Sequence, residues 1–262
     1  MKKVLYTAFI MAFLVIITSS SVLAAPSPPR IYLGGREISP GLSGALIDGT
    51  SYMPIKALHD YFGGRLSWDQ SAQTARYKTS GLEITATAGA KYILANGRAL
   101  YAPGGIFVQD GRLMIPCRLA AQMVNGEASW DGSARTVRIS VGRGFIENGE
   151  DFYDEDELYW LSRIISAESR GEPFDGQVAV GNVVLNRVES RSYPDTIYGV
   201  IFDRQYGVQF EPILNGTIYD EPAGISVTAA KLCLEGVDLS RGSIYFYNPL
   251  IAQSLSLIHI SK

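Results

Sequence analysis

Glu168 occupies a position where an amphipathic helix should carry a leucine. Across residues 157–171, Leu158, Leu161, Ile164 and Ile165 recur at helical spacing, and at 100° per residue Glu168 falls inside the stripe they define. Arg163 and Arg170 fall on the other side of the same helix, so neither is placed to neutralise the acid. Gly171 reads as the helix stop, which puts Glu168 in the last turn, where the negative end of the macrodipole opposes ionisation. Burial and dipole both raise its pKa. A carboxyl group that keeps its proton near neutrality can act as a general acid, and cleavage of glycosidic bonds is the reaction that most often needs one. The competing reading is a buried glutamate paired with an arginine from elsewhere, such as Arg187. Spacing alone leaves the two open.

Histidine usage narrows the chemistry further. The chain has two, His59 and His259, neither within residues 151–254, so that stretch holds no Ser-His-Asp triad, Cys-His pair or histidine-based zinc site. No metal and no cofactor are expected. Cys117 and Cys233 stand in apolar surroundings and read as two buried thiols. Among the other acids, Glu172 reads as structural at the helix end, and Asp203, Glu211 and Asp220 as solvated loop residues. From 151 to 254, seven Lys/Arg stand against sixteen Asp/Glu, a net of −9, which argues against nucleic acid as a partner. Residues 30–150 carry thirteen against ten, a net of +3 that an ordinary solvated surface explains.

The elements that must position Glu168 follow from patterning. With 262 residues and 47% hydrophobic content, there is room for two modest domains with real cores. Residues 1–25 read as a secretory signal peptide: Lys2 and Lys3, an apolar run from Val4 to Ile17, and cleavage after Ala24 or Ala25. The apolar run is short for a membrane span, with an uncleaved anchor as the alternative.

The front half is an internal repeat with a gapless offset of 62 residues. Pro54, Gly64, Trp68, Asp69 and Thr74 return as Pro116, Gly126, Trp130, Asp131 and Thr136, and Asp48-Gly49 as Asp110-Gly111. Each copy is predicted to form a ββαββ unit: a hairpin turning at Asp-Gly, a short helix opened by proline, and a hairpin around Trp-Asp-x-Ser. Stacking on sugar rings is one reading of Trp68 and Trp130, but because they alternate with polar neighbours at strand spacing and recur at the same place in each unit, they are expected to pack in the core. A glycine- and acid-rich linker at 143–153 leads to a helix beginning near Asp154. A second helix, about Asp175 to Glu189, is apolar nearly all round and reads as the central buried one. Asn182 and Asn186 on it are expected to bond loop backbone. A helix from Ser226 to Glu235 and a strand-like 242–249 follow.

The duplicated unit, over residues 30–142, resembles the domain named after the N-terminal region of copper amine oxidases, a stalk module of secreted bacterial proteins. This resemblance implies spacing or wall attachment and no copper. The back half, 154–254, resembles the spore cortex-lytic, germination-type cell wall hydrolase family through Ala167-Glu-Ser-Arg-Gly-Glu172, Gly176–Arg187, Gln209-Phe-Glu-Pro212 and Tyr245-Phe-Tyr-Asn-Pro249. The overall expectation is an α+β chain whose C-terminal part is a mostly helical, lysozyme-like catalytic domain acting on peptidoglycan. The expected location is secreted, cell wall or spore-associated, without membrane association after cleavage of the signal peptide. The family's catalytic glutamate falls on Glu168. The resemblance also implies a lytic transglycosylase mechanism with that single acid, and substrate contacts from Gln209, Phe210, Tyr247 and Asn248. A non-catalytic wall-binding stalk protein and an N-acetylmuramoyl-L-alanine amidase are the alternatives. The pattern breaks at the end: Leu255-Ser-Leu-Ile-His-Ile is the translation of a transposon-based sequencing adapter. Residues 255–262 are therefore expected to be read-through, leaving the hydrolase domain truncated and His259 without a role.

Overall fold

The computed structural model describes residues 27–245 except Pro40 and Tyr206. The expected signal peptide, Tyr247, Asn248 and the tail at 255–262 lie outside the described residues.

The front half builds the same unit twice. The first copy contains β1 (Arg30–Leu33), β2 (Arg36–Glu37), β3 (Ala45–Ile47), β4 (Thr50–Pro54), α1 (Lys56–Phe62), β5 (Arg65–Asp69) and β6 (Thr74–Thr79). After β7 (Leu82–Thr87), the second contains β8 (Tyr92–Ala95), β9 (Arg98–Tyr101), β10 (Phe107–Gln109), β11 (Arg112–Pro116), α2 (Cys117–Met123), β12 (Ala128–Asp131) and β13 (Thr136–Ile139). The turns explain the repeated residues. Asp48-Gly49 and Asp110-Gly111 have positive φ at both positions (47° and 76°; 51° and 70°), which a two-residue hairpin of the I′ type demands. Asp69 Oδ1 accepts from the backbone N–H of Ser71 and Ala72 at 2.9 and 3.0 Å, and Asp131 Oδ1 from that of Ala134 at 3.0 Å. Each aspartate thus closes its turn with its own side chain.

The two copies interlock. β11 pairs antiparallel with β4, setting Ile115 opposite Met53, residues equivalent under the repeat, so a local twofold axis passes between them. β13 closes in parallel on β1, while β6 is separated from β8 by β7 in a five-stranded sheet. Two expectations fail. Pro54 ends β4 and Pro116 ends β11, so both prolines precede the helices as strand residues. Trp68 and Trp130 lie outside the core, 41% and 44% exposed, because the strands carrying them form the outer ribs of their sheets.

The back half contains α3 (Gly149–Phe152), α4 (Glu155–Ser169), α5 (Phe174–Glu189), α6 (Ile197–Phe202), α7 (Glu211–Asn215), a 3-10 turn at Thr217–Tyr219 and α8 (Gly224–Leu234). Asp154 caps α4 by accepting from Glu157 N–H at 3.0 Å, and Glu155, Asp156 and Glu157 complement the dipole in its first turn. α4, α5 and α8 pack around Leu161, Ile164, Ile165, Val178, Val184 and Leu232. Gly181 permits this closeness: a Cβ there would sit 2.6 Å from Ile165 Cδ1 and 2.7 Å from Cys233 Sγ. Both cysteines are buried and free. Of the strand expected at 242–249, residues 242–245 are not in a strand and follow a turn at Arg241 and Gly242 with positive φ, while 246–249 lie outside the described residues. Among the described residues no helix is long and apolar enough to cross a membrane.

The halves are docked through the β8–β9 hairpin. Arg98 makes a bidentate pair with Glu235 at 2.8 and 2.7 Å, and its guanidinium lies over the Phe152 ring. The Tyr153 hydroxyl donates to Glu235 at 2.7 Å and accepts from Ala99 N–H at 3.0 Å. Lys231 donates to Gly97 O at 2.7 Å, Lys91 pairs with Asp175, and Tyr92 packs on Phe174. The connecting segment is packed as well: Ile146 is buried and its carbonyl accepts from Asn96 Nδ2 at 2.8 Å.

Candidate active site

Glu168 stands half-buried in the last turn of α4, between the buried Ile165 and Ser169. Its pKa is raised, first by burial and second by the charge of Glu211. The helix that carries it is fixed on all sides. Ser166 Oγ accepts from Ala223 N–H at 3.0 Å and from Arg170 Nε and Nη2 at 3.2 and 3.1 Å. Past the helix end, buried Gln177 donates to Glu172 O at 3.1 Å and accepts from Ser226 Oγ at 2.8 Å. These buried amide and hydroxyl groups hold the turn after Glu168, and periodicity did not single them out.

Arg163, Arg170 and Arg187 each make contacts with groups other than Glu168, although Arg163 Nε and Arg187 Nη1 are buried without a hydrogen-bond partner. Arg170 reaches Glu221 O at 2.9 Å as well as Ser166. Arg163 lies over the Tyr159 ring at 3.7 Å and pairs with Glu221 at 3.3 Å. Arg187, the candidate partner of the competing reading, donates from Nε to Ile244 O at 2.9 Å and sits among the rings of Tyr193, Phe210 and Tyr245. Among the described residues Glu168 makes no ion pair. Its carboxyl group is thus held in partly desolvated surroundings, and the charge of another acid, Glu211, adds to the elevation of its pKa.

α7 brings the second acid. Glu211 is in the first turn of α7, beside Pro212, and α7 packs against α4. Sequence patterning assigned Glu211 to a solvated loop; it is exposed, but its charge reaches Glu168. Gln209 is half-buried ahead of it, with Nε2 donating to Gly207 O at 3.2 Å. Phe210 is 1% exposed and lies in the core beneath Arg187, so its ring supports the site from below. Tyr247 and Asn248 fall outside the described residues. Asn182 bonds Val237 O and Leu239 N–H, and Asn186 bonds Ser240 and Ser243, so this stripe ties down a loop as expected.

An aromatic shelf continues along α4. Trp160 meets Tyr198, Phe202 and Tyr219 edge-on, and Tyr198 and Tyr219 are strongly exposed. Three separate elements supply these rings, so no local pattern announces the shelf. A half-buried acid with a raised pKa, a second acid whose charge reaches it, and exposed ring faces suit an extended, polyhydroxylated substrate.

Comparison with known proteins covers both halves. Residues 171–259 match the Cell Wall Hydrolase family, beginning just past Glu168, and residues 32–139 match the copper amine oxidase N-terminal domain. The chain is 32% identical over 140 residues to the spore cortex-lytic enzyme of Oceanobacillus iheyensis, covering 49% of this chain and 48% of that one. It is 37% identical over 124 residues to the spore cortex-lytic enzyme of Bacillus cereus, covering 47% and 46%. The chain therefore spans about half the length of the curated relatives it matches. A solved structure, the catalytic domain of the germination-specific lytic transglycosylase SleB from Bacillus anthracis, is 37% identical over 42% of this chain and 84% of that one, with a TM-score of 0.36.

Proposed function

We propose that this chain, which carries a cell wall hydrolase domain behind a copper amine oxidase N-terminal domain, cleaves the glycan strand of peptidoglycan as a lytic transglycosylase. Glu168 is its single general acid and base. The observation that carries this reading is the carboxyl group of Glu168, half-buried, raised in pKa and without a cation partner among the described residues.

The protonated form of Glu168 donates to the glycosidic oxygen as the C1–O bond breaks, leaving positive charge at the muramic C1. The carboxylate so formed then takes the proton of the 6-hydroxyl of the same sugar, whose oxygen closes on C1. The product is a 1,6-anhydro ring, no water is consumed, and Glu168 regains its proton. One acid with a raised pKa suffices for both steps. Gln209 contacts an N-acetyl group, as do Tyr247 and Asn248 in this reading, while Phe210 acts through packing. The exposed rings of Tyr198 and Tyr219 give sugar faces a surface to stack on. The spore or cell wall is the site of action and secretion the route.

A second reading is favoured by the charge of Glu211, which reaches Glu168. If that carboxylate positions a water molecule, the same acid supports simple hydrolysis with two carboxylates. Digestion of purified peptidoglycan followed by mass spectrometry of the fragments decides between them. Fragments ending in 1,6-anhydromuramic acid support the transglycosylase, reducing ends support hydrolysis through Glu211, and glycan strands left uncut by the chain overturn both.

A further inference from the structure

The duplicated front unit carries two grooves that map onto each other under the 62-residue offset. One is lined by Trp68, Lys56, Ser67 and Ala75 of the first copy with Gly111 and Arg112 of the second. The other is lined by Trp130, Arg118, Ser129 and Val137 of the second copy with Gly49 and Thr50 of the first. Each groove thus lies where one copy's tryptophan strand meets the other copy's Asp-Gly hairpin. The second is the larger, about 390 Å³ against about 290 Å³.

The copies have diverged in how their polar groups are satisfied. Trp68 Nε1 donates to Gln70 Oε1 at 2.9 Å, and Lys56 is held by Asp60 at 2.7 Å. At the equivalent positions the second copy has Gly132 for Gln70 and Gln122 for Asp60. Among the described residues, Trp130 Nε1 makes no hydrogen bond and Arg118 makes no ion pair. In the first groove the indole and ammonium groups already have partners, whereas the second presents a ring face, an indole donor and an exposed guanidinium together.

We propose that the Trp130–Arg118 groove binds a peptidoglycan glycan strand outside the hydrolase domain, with a sugar ring stacked on Trp130 and a carboxylate of the strand or its stem peptide met by Arg118. The combination selects an acidic saccharide: Trp supplies an amphipathic face for the ring, and arginine a planar fork for the carboxylate. Continuity with the hydrolase domain supports this occupant. Tyr101 lines the groove and also packs against the core of the back half, so a strand lying in the groove reaches the domain junction. The junction is held by Arg98, Tyr153 and Glu235, so the orientation of the groove toward α4 and α5 is fixed. The choice of polymer rests on the function proposed above.

The test uses the full chain carrying Glu168→Gln, so that the ligand is not consumed, sedimented with sacculi stripped of phosphate polymers and, separately, with chitin. Trp130→Ala should weaken binding to sacculi about tenfold and to chitin by a similar factor, a scale expected for losing one aromatic anchor. Arg118→Gln should weaken binding to sacculi alone, and Trp68→Ala should change neither. Unaltered melting temperatures establish that the exposed substitutions leave the fold intact. Binding to sacculi by the Trp130→Ala and Arg118→Gln variants that equals the parent's overturns the proposal. If the chain with Glu168 restored still releases anhydro fragments in that case, the groove assignment alone falls. If the Glu168→Gln chain does not bind sacculi and the chain with Glu168 restored does not cleave them, both readings fall.

Discussion

The carboxylate of Glu211, at the first turn of α7, lies within electrostatic reach of Glu168 and adds to burial in raising that residue's pKa. Two residues 43 positions apart in the chain are brought together because α7 packs on α4. The proposed acid is active when protonated, so the rate should decline as pH rises through its pKa. Glu211→Gln removes one of the two causes of elevation and should move that decline to lower pH. Burial, the larger cause, persists, so part of the elevation should remain. A pH–rate profile on soluble glycan fragments measures this; an unmoved limb would remove Glu211 from the site.

Glu168 should weaken the fold at neutral pH. Below its ordinary value of 4.5 the group is protonated whether folded or unfolded and contributes nothing. As pH rises above that value, the unfolded chain releases the proton first, so folding stability falls until the raised folded pKa is passed. Glu168→Gln should therefore be more stable than the parent at pH 7 and equal to it at pH 4, while losing cleavage. Urea melts at the two pH values give the comparison. A destabilised variant at pH 7 would mean that the carboxylate is held by partners.

The junction should depend on one buried pair. The side chains of Arg98 and Glu235 are 12% and 8% exposed, and Tyr153 joins them to Ala99. Arg98→Ala leaves the Glu235 carboxylate buried beside a single remaining donor and should cost about 3 kcal/mol in denaturant unfolding. Tyr153→Phe should cost about 1–3 kcal/mol by stranding Ala99 N–H. Proteolysis between residues 143 and 153 should accelerate in both. A cost under about 0.5 kcal/mol, the range of an ordinary surface substitution, would show that the halves dock independently of this network.

Neighbouring residues 209 and 210 should separate into contact and support. Phe210→Ala empties a core position beneath Arg187 and should lose about 3–5 kcal/mol of stability. Gln209→Ala should leave stability within about 0.5 kcal/mol and raise KM with little effect on kcat. Melting curves together with steady-state kinetics on defined fragments separate the two. A stability loss at Gln209 as large as at Phe210 would contradict its assignment as a substrate contact.

Local periodicity carried the reading as far as local physics reaches. The helical phase of Glu168 was visible because a 3.6-residue repeat is a property of one segment, and the Asp-Gly hairpins because positive φ demands particular residues. Pairing between equivalent strands β4 and β11 was not visible, since nothing in either strand encodes its partner. The exposure of Trp68 and Trp130 escaped for the same reason: strand alternation reports two faces without saying which one another sheet covers. Arg187 could be weighed as a partner for Glu168 only until its actual surroundings, Tyr193, Phe210, Tyr245 and the Ile244 carbonyl, were in place. Those groups come from loops whose paths depend on the whole domain. The Arg98–Glu235 pair likewise joins residues from two halves that patterning treated as separated by a linker.

Cleavage turns on the proton of Glu168, and carbon-13 NMR of a chain labelled at the glutamate carboxyl carbons observes it directly. Glu168, identified by the signal lost in Glu168→Gln, should titrate above 4.5 and at the same pH as the fall in cleavage rate. A midpoint at or below 4.5, or one unrelated to the fall in rate, would contradict the assignment of this residue as the general acid.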